Sequence, residues 1–307
     1  MSKNLEVKEM NQNIFLGLRN IPSLNYHRPG TLKECLDLIR TFKSNSKILA
    51  GGTDLIPAFR AGRLFMSQEG HLIDVNGVKE LDYIREEQGT IKIGALTRLA
   101  EVESSQVIRK RVPVLGQAIA QMGSLQIRNL ATIGGNLCNA SPAADSAIPL
   151  LALDSIVKVA NSERERLIPL NDFFTGPGKT VLSDDEMLVE IQIPLSNASG
   201  SCVFYKLGRR NAFTLSVVSI GVYVEKEGNR VRNARIALGA VAPTPMRAHN
   251  GEKYIMSKNL QREVIEETGR IVSEETKPIS DVRASAFYRR QMAFILTKKA
   301  LNCISYS

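Results

Sequence analysis

Ile48-Leu49-Ala50-Gly51-Gly52-Thr53-Asp54-Leu55 is a short apolar run that stops at two glycines and continues in polar residues. About eighty residues later the pattern returns as Thr132-Ile133-Gly134-Gly135-Asn136-Leu137. Glycine lacks the Cβ that would keep a ligand at a distance, and it reaches positive φ without strain. Successive turn amides can then converge on a phosphate, and a helix beginning behind the turn adds its field. Taken singly, each glycine pair is equally an ordinary tight turn. Their repetition, with polar side chains after both, predicts two halves of a clamp around an elongated phosphate ester.

The surrounding pattern mixes short strands and helices from about Pro22 to Pro194. Thr31, with Glu34 three residues on, predicts a capping box for a helix through Leu32, Cys35, Leu36 and Ile39. Lys47 to Ala50, Leu72 to Val75, Ile91 to Gly94 and Ile156 to Val159 read as strands. Thr53 and Asp54 are expected to cap a helix over Leu55 to Ala61. An amphipathic stretch from Val114 to Met122 leads to the second glycine pair. Pro194-Leu195-Ser196-Asn197-Ala198-Ser199-Gly200-Ser201 has the composition of a linker. Beyond it, Ser219 to Glu225 and Val231 to Leu238 flank Glu227-Gly228-Asn229 as an antiparallel hairpin. Helices over Gln261 to Glu274 and Ala284 to Leu301 complete a second, α+β unit.

The chain has 307 residues, 43% of them hydrophobic, ample for one large domain or two smaller ones. No run of apolar residues is long enough for a membrane span. The first residues, through Glu9, alternate charge and lack a signal peptide's apolar stretch, so segment 1–19 is expected to be a poorly ordered lead-in. Cys35, Cys138, Cys202 and Cys303 form no paired motif, which argues against a zinc site, an iron–sulfur cluster or a disulfide framework. Reduced thiols point to the cytoplasm. His27, His71 and His249 are widely separated and read as ordinary polar residues. The net charge of +9 is spread along the chain without a nucleic-acid motif, so no nucleic-acid partner is expected.

The familiar phosphate motifs are missing. No G-x-G-x-x-G follows a strand, and Gly176-Pro177-Gly178-Lys179-Thr180 has Phe173 where a P-loop requires glycine. That stretch reads as a plain Pro/Gly loop. What remains is a dinucleotide whose pyrophosphate lies between the two glycine loops. Thr132 and Asn136 would offer side-chain hydrogen bonds beside the Gly134 and Gly135 amides. In Ser141-Pro142-Ala143-Ala144-Asp145-Ser146, the Asp145 carboxylate is placed to hold a ribose hydroxyl.

These residues resemble the FAD-binding (medium) subunit of molybdenum hydroxylases, the xanthine dehydrogenase and carbon monoxide dehydrogenase family. The resemblance extends through Glu186 to Pro194, Phe204-Tyr205-Lys206, and Asp281 to Arg290, so it covers nearly the whole chain. It implies an α+β fold: a two-part FAD-binding domain of the vanillyl-alcohol-oxidase (PCMH) type over 20–196. A smaller domain over 202–303, a three-stranded antiparallel sheet with helices, would follow. By position, Ile48, Leu49, Ala50, Gly51, Gly52, Thr53, Asp54 and Leu55 would bind FAD with Thr132, Ile133, Gly134, Gly135 and Asn136. Asp145 would contact the ribose side, and Met122, Leu188 and Lys206 match cofactor-lining positions. Met122 stands where some relatives have an aromatic residue. No histidine or cysteine in either loop is placed for a covalent flavin link, so the FAD would be noncovalent.

The resemblance also implies partners: a large subunit carrying the molybdenum cofactor and a small subunit with two [2Fe–2S] clusters, assembled as a dimer of heterotrimers. Electrons would pass from those clusters through FAD to an acceptor such as NAD. Substrate recognition would lie on the large subunit, with a purine or related N-heterocycle preferred among purines, nicotinate-like acids and carbon monoxide. A stand-alone FAD-dependent oxidoreductase of the same fold is the alternative. Arg209, Arg210, Arg289 and Arg290 read either as a partner or flavin contact or as solvated ion-paired groups.

Overall fold

The computed structural model describes residues 23–67, 69–210 and 214–306. The expected lead-in lies outside them. Three parts follow one another. The first is a small parallel sheet of β1 (Asn25–His27), β2 (Ser46–Leu49) and β3 (His71–Asp74), with β3 in the middle. Helix α1 (Leu32–Phe42) crosses between β1 and β2 and buries Cys35, Leu36 and Ile39 at helical spacing. Thr31 Oγ1 accepts from the Glu34 amide at 3.2 Å, but the Glu34 carboxylate reaches back to the Gly30 amide, 2.8 Å, so the capping box closes one residue early. After β2 the chain passes through the first glycine pair into α2 (Leu55–Arg60).

The second part is an antiparallel sheet of five strands. β4 (Ile84–Glu87) and β5 (Thr90–Gly94) pair as a hairpin. Between them and the next strands run α3 (Leu99–Ser104), α4 (Gln106–Arg111), α5 (Pro113–Ala120), α6 (Leu125–Arg128), α7 (Ile133–Cys138) and α8 (Ala147–Ala152). Then come β6 (Ile156–Ala160), β7 (Glu165–Pro169), the small hairpin β8 (Phe174–Gly176) and β9 (Lys179–Thr180), and β10 (Met187–Pro194). β10 returns to the centre of the sheet, giving the order β4-β5-β10-β6-β7. Its burial on both faces fits its apolar run.

The third part is a sheet of β11 (Ser201–Leu207), β12 (Val218–Glu227), β13 (Arg230–Gly239) and β14 (Met246–Arg247). Three long strands match the expectation, and a two-residue fourth strand is added at the edge. The hairpin turns at Gly228, whose φ of 59° needs glycine. Helices α9 (His249–Ile255), α10 (Arg262–Glu275) and α11 (Ala286–Ser305) cover one face and enclose a second core.

The two large parts are joined through α8. All six of its residues are buried. Ile148 lies against the bare backbone of Gly221 and Gly239, where a Cβ would stand 3.2 and 3.0 Å from its side chain. Lys206 on β11 crosses the junction to Asp145, Nζ to Oδ2 2.7 Å, with both side chains about 5% exposed. Arg235 of β13 donates to the carbonyls of Ala152 and Asn197. Among the described residues no helix is long and apolar enough to cross a membrane.

Candidate functional site

A cavity of about 560 Å³ opens where the small parallel sheet meets the central sheet. The C-terminal end of β2 delivers the first glycine pair into one wall, and the start of α7 delivers the second into the other. Of the residues singled out from the sequence, Ile48, Ala50, Gly51, Gly52, Thr53, Asp54, Leu55, Thr132, Gly134, Gly135, Asn136 and Leu188 line it.

The two glycine pairs do different work. A Cβ on Gly51 would lie 2.2 Å from the Leu130 carbonyl oxygen and 2.7 Å from Ala131 Cα, so here the two walls touch backbone to backbone. Gly52 has φ +67°, a left-handed turn that sends the chain into α2. Asn76 Nδ2 donates to the Ala50 carbonyl, 2.9 Å, and to Asp74 Oδ1, 2.7 Å, tying the turn to β3. Among the described residues, the amides of Gly52, Thr53 and Asp54 donate no hydrogen bond to the chain. These are the donors an anion requires.

The second pair corrects the expectation of matching turns. Gly134 and Gly135 are the opening residues of a helix capped by Thr132, and their amides are already engaged. Gly134 donates to the Ala95 carbonyl at 2.9 Å, and Gly135 to Thr132 Oγ1 at 3.1 Å. Glycine is needed there for close packing instead: a Cβ on Gly134 would stand 2.6 Å from that Ala95 oxygen. Asn136 turns its Oδ1 to Ser146 Oγ, 2.7 Å. The predicted Asp54 cap is also absent, since Asp54 has helical dihedrals and no capping hydrogen bond.

Five of the candidate residues do not line the cavity. Leu49 belongs to β2, with its Cδ1 3.1 Å from the Cβ position of Gly52. Ile133 and Met122 are in the main core. Asp145 is bonded at the junction of the two large parts, where Lys206 Nζ takes one oxygen and Ser216 Oγ the other. Lys206 also donates to the Gln121 carbonyl, 2.8 Å. Arg289 follows the ion-paired reading without being solvated: it is 1% exposed, pairs with Asp281 at 2.7 Å and donates to the carbonyls of Val217 and Ala240.

Several lining residues escaped the sequence reading. Gly178, dismissed with its Pro/Gly loop, sits at the tip of the β8–β9 hairpin, and its amide bonds the Ala140 carbonyl at 3.0 Å. Leu182 and Met187 lie on the segment that follows. That segment is fixed by Arg166, which forks onto both Glu186 oxygens at 2.7 Å and also donates to the Val181 carbonyl, 3.0 Å. Ala58, Arg63 and Leu64 border the cleft from α2 and its exit. Cys138 lines it too, with a thiol that burial pushes up to about 12, so it is a neutral wall group at ordinary pH. No signal in the spacing marks these residues; the fold brings them in.

His27 and His71, distant in sequence, meet at 2.9 Å between ring nitrogens on neighbouring strands, and His71 stacks on Phe42. Among the described residues no group of three or more metal-ligating side chains converges.

Comparison with known proteins bears on this geometry. The family description "FAD binding domain in molybdopterin dehydrogenase" matches residues 22–196, and "CO dehydrogenase flavoprotein C-terminal domain" matches residues 203–304. The chain is 32% identical to the glyceraldehyde dehydrogenase medium chain of Sulfolobus acidocaldarius over 91% of its own length and 97% of that protein. It is 33% identical to the nicotinate dehydrogenase FAD-subunit of Eubacterium barkeri over 89% of itself and 93% of that protein. The fold superposes on a chain of carbon monoxide dehydrogenase from Hydrogenophaga pseudoflava with a TM-score of 0.88. That pair shares 32% identity over 93% of this chain and 98% of the other.

Proposed function

The chain belongs to the FAD-binding medium subunits of the molybdenum hydroxylase family, an oxidoreductase component, and from that premise we propose that the cleft holds noncovalent FAD between Gly51–Asp54 and Thr132–Asn136. The observation that carries this reading is the row of uncommitted amides at Gly52, Thr53 and Asp54 in the wall of a cavity of about 560 Å³. Bare glycine backbone at Gly51 and Gly52 fits a ligand that must come close, and the donors fit a diphosphate. When bound, FAD supplies a redox centre that exchanges electrons singly with iron–sulfur clusters and in pairs with an external acceptor such as NAD.

The chain's own residues bind and orient. Asn76 fixes the carbonyl side of the first turn, leaving its amides for the ligand. Thr132 closes the N-terminus of α7 and holds the second wall. Leu182, Met187 and Leu188 supply apolar surface for a ring system, and the Arg166–Glu186 fork keeps their segment in place. Asp145 and Lys206 pair at the junction of the two large parts, and Met122 packs in the main core. No acid, base or nucleophile is assigned: Asp54 lines the wall as a charge, and the Cys138 thiol stays protonated.

Partners complete the proposal: a molybdenum-bearing large subunit that meets the substrate, a small subunit with [2Fe–2S] clusters, and pairing of two such heterotrimers. The relatives are named for glyceraldehyde and nicotinate dehydrogenases at 32% and 33% identity, so the medium chain does not distinguish the substrate. Native mass spectrometry of the complex from its source tests the reading. A mass containing this chain, FAD, a molybdopterin subunit and a two-cluster subunit is the expected result. A lone chain with FAD would favour a self-sufficient flavoenzyme, and a lone chain without flavin would end the cleft assignment.

A further inference from the structure

Only two charged residues line the cleft among the described residues, Asp54 and Arg63. Arg63 is the cation of that lining, and it can serve a diphosphate if it is not already engaged by another group. It is not: Arg63 is exposed and forms no ion pair among the described residues.

Its position is built by the exit of α2. The Gly62 amide bonds the Phe59 carbonyl at 2.9 Å, and the Arg63 amide reaches back to the Ala58 carbonyl, 2.9 Å. Gly62 has φ +62°, which completes a Schellman motif. Phe59, 2% exposed, anchors the helix beneath it. In such motifs the residue after the left-handed position commonly makes an apolar contact with the last helical turn. Here that residue is an arginine, and both it and its counterpart Ala58 line the cleft. A cation stands where the motif's apolar contact would be, on a stretch that lines the cleft.

We propose that Arg63 is the cationic partner of the cofactor's diphosphate, complementing the neutral amides of the first glycine turn across the same wall. This rests on the cleft being the FAD site. A guanidinium suits the task because its planar fork pairs with phosphate oxygens in two places at once.

The test uses the full-length chain stripped of flavin and titrated with FAD, followed by flavin fluorescence, at low and high sodium chloride. Arg63→Gln is expected to weaken FAD binding at low salt by about tenfold or more, the size of a charge-assisted hydrogen bond. The deficit narrows at high salt, because screening weakens the same attraction in the parent chain. Arg63→Lys regains part of the loss, and the unliganded melting temperature of both variants stays that of the parent. FAD affinity in Arg63→Gln equal to the parent's at low salt would overturn the assignment of Arg63 while leaving the cleft intact. A cooperatively folded parent chain that takes up no FAD would overturn both.

Discussion

At single positions the decisive quantity is the distance at which backbone meets backbone. Gly51 is the clearest instance, because a methyl group there would press into the Leu130 carbonyl at 2.2 Å. Gly51→Ala is therefore expected to lower stability by about 1–3 kcal/mol, the usual cost of overpacking. FAD retention should fall with it, measured as flavin content after gel filtration beside the melting temperature. Thiols give a second prediction. Burial raises Cys35, Cys138 and Cys202 to about 12, whereas Cys303 is exposed. At pH 8 the first three are then about one part in ten thousand ionised. Rapid alkylation of the folded chain should stop at one label, on Cys303, as read by peptide mass. Fast labels on the half-buried Cys138 or Cys202 would contradict their suppressed ionisation.

Among elements, the segment between β9 and β10 shows how a side chain shapes a wall it does not line. The hydrogen-bonded Arg166 guanidinium, with the Ser183 amide, outweighs burial and holds the Glu186 carboxyl below its usual value. A carboxyl depressed on folding stabilises the native state above its unfolded pKa and loses that contribution as pH falls through the folded value. Glu186→Gln should therefore melt lower than the parent at pH 7, with the gap closing as the pH is brought below about 4. A constant gap down to pH 3 would refute this. Elements were also where the sequence was most readable. The β12–β13 hairpin was fixed by alternation around Gly228, and the strand before Gly51 by its apolar run. The same reading failed at Thr132 to Asn136. A glycine pair looks identical whether it makes a turn or opens a helix, and only the Thr97 and Ala95 carbonyls, contributed from another strand's end, decide which. The partners of Asp145 are hidden from the sequence for a related reason. A carboxylate after a polar loop suits a ribose, yet its partners Lys206 and Ser216 come from a sheet far along the chain. Local pattern carries neither fact.

Over the whole molecule the question is what makes two cores act as one. The buried Asp145–Lys206 pair spans them, and removing one member leaves the other charge uncompensated. Lys206→Ala is expected to cost about 3–5 kcal/mol, while Lys206→Met combined with Asp145→Asn should cost much less. Calorimetry settles it, and equal losses in the two variants would show that charge is not the cause. Contact between the walls has a further consequence. Because the turn after β2 rests directly on the chain before α7, the cleft has its final width before any ligand arrives. Entry then freezes the visitor's freedom but little of the host's, so the entropic penalty of binding falls almost wholly on the small molecule. Stopped-flow mixing of stripped chain with flavin dinucleotide should accordingly show a rate that climbs in proportion to ligand concentration. A plateau would reveal a slow opening step that this backbone contact leaves no room for.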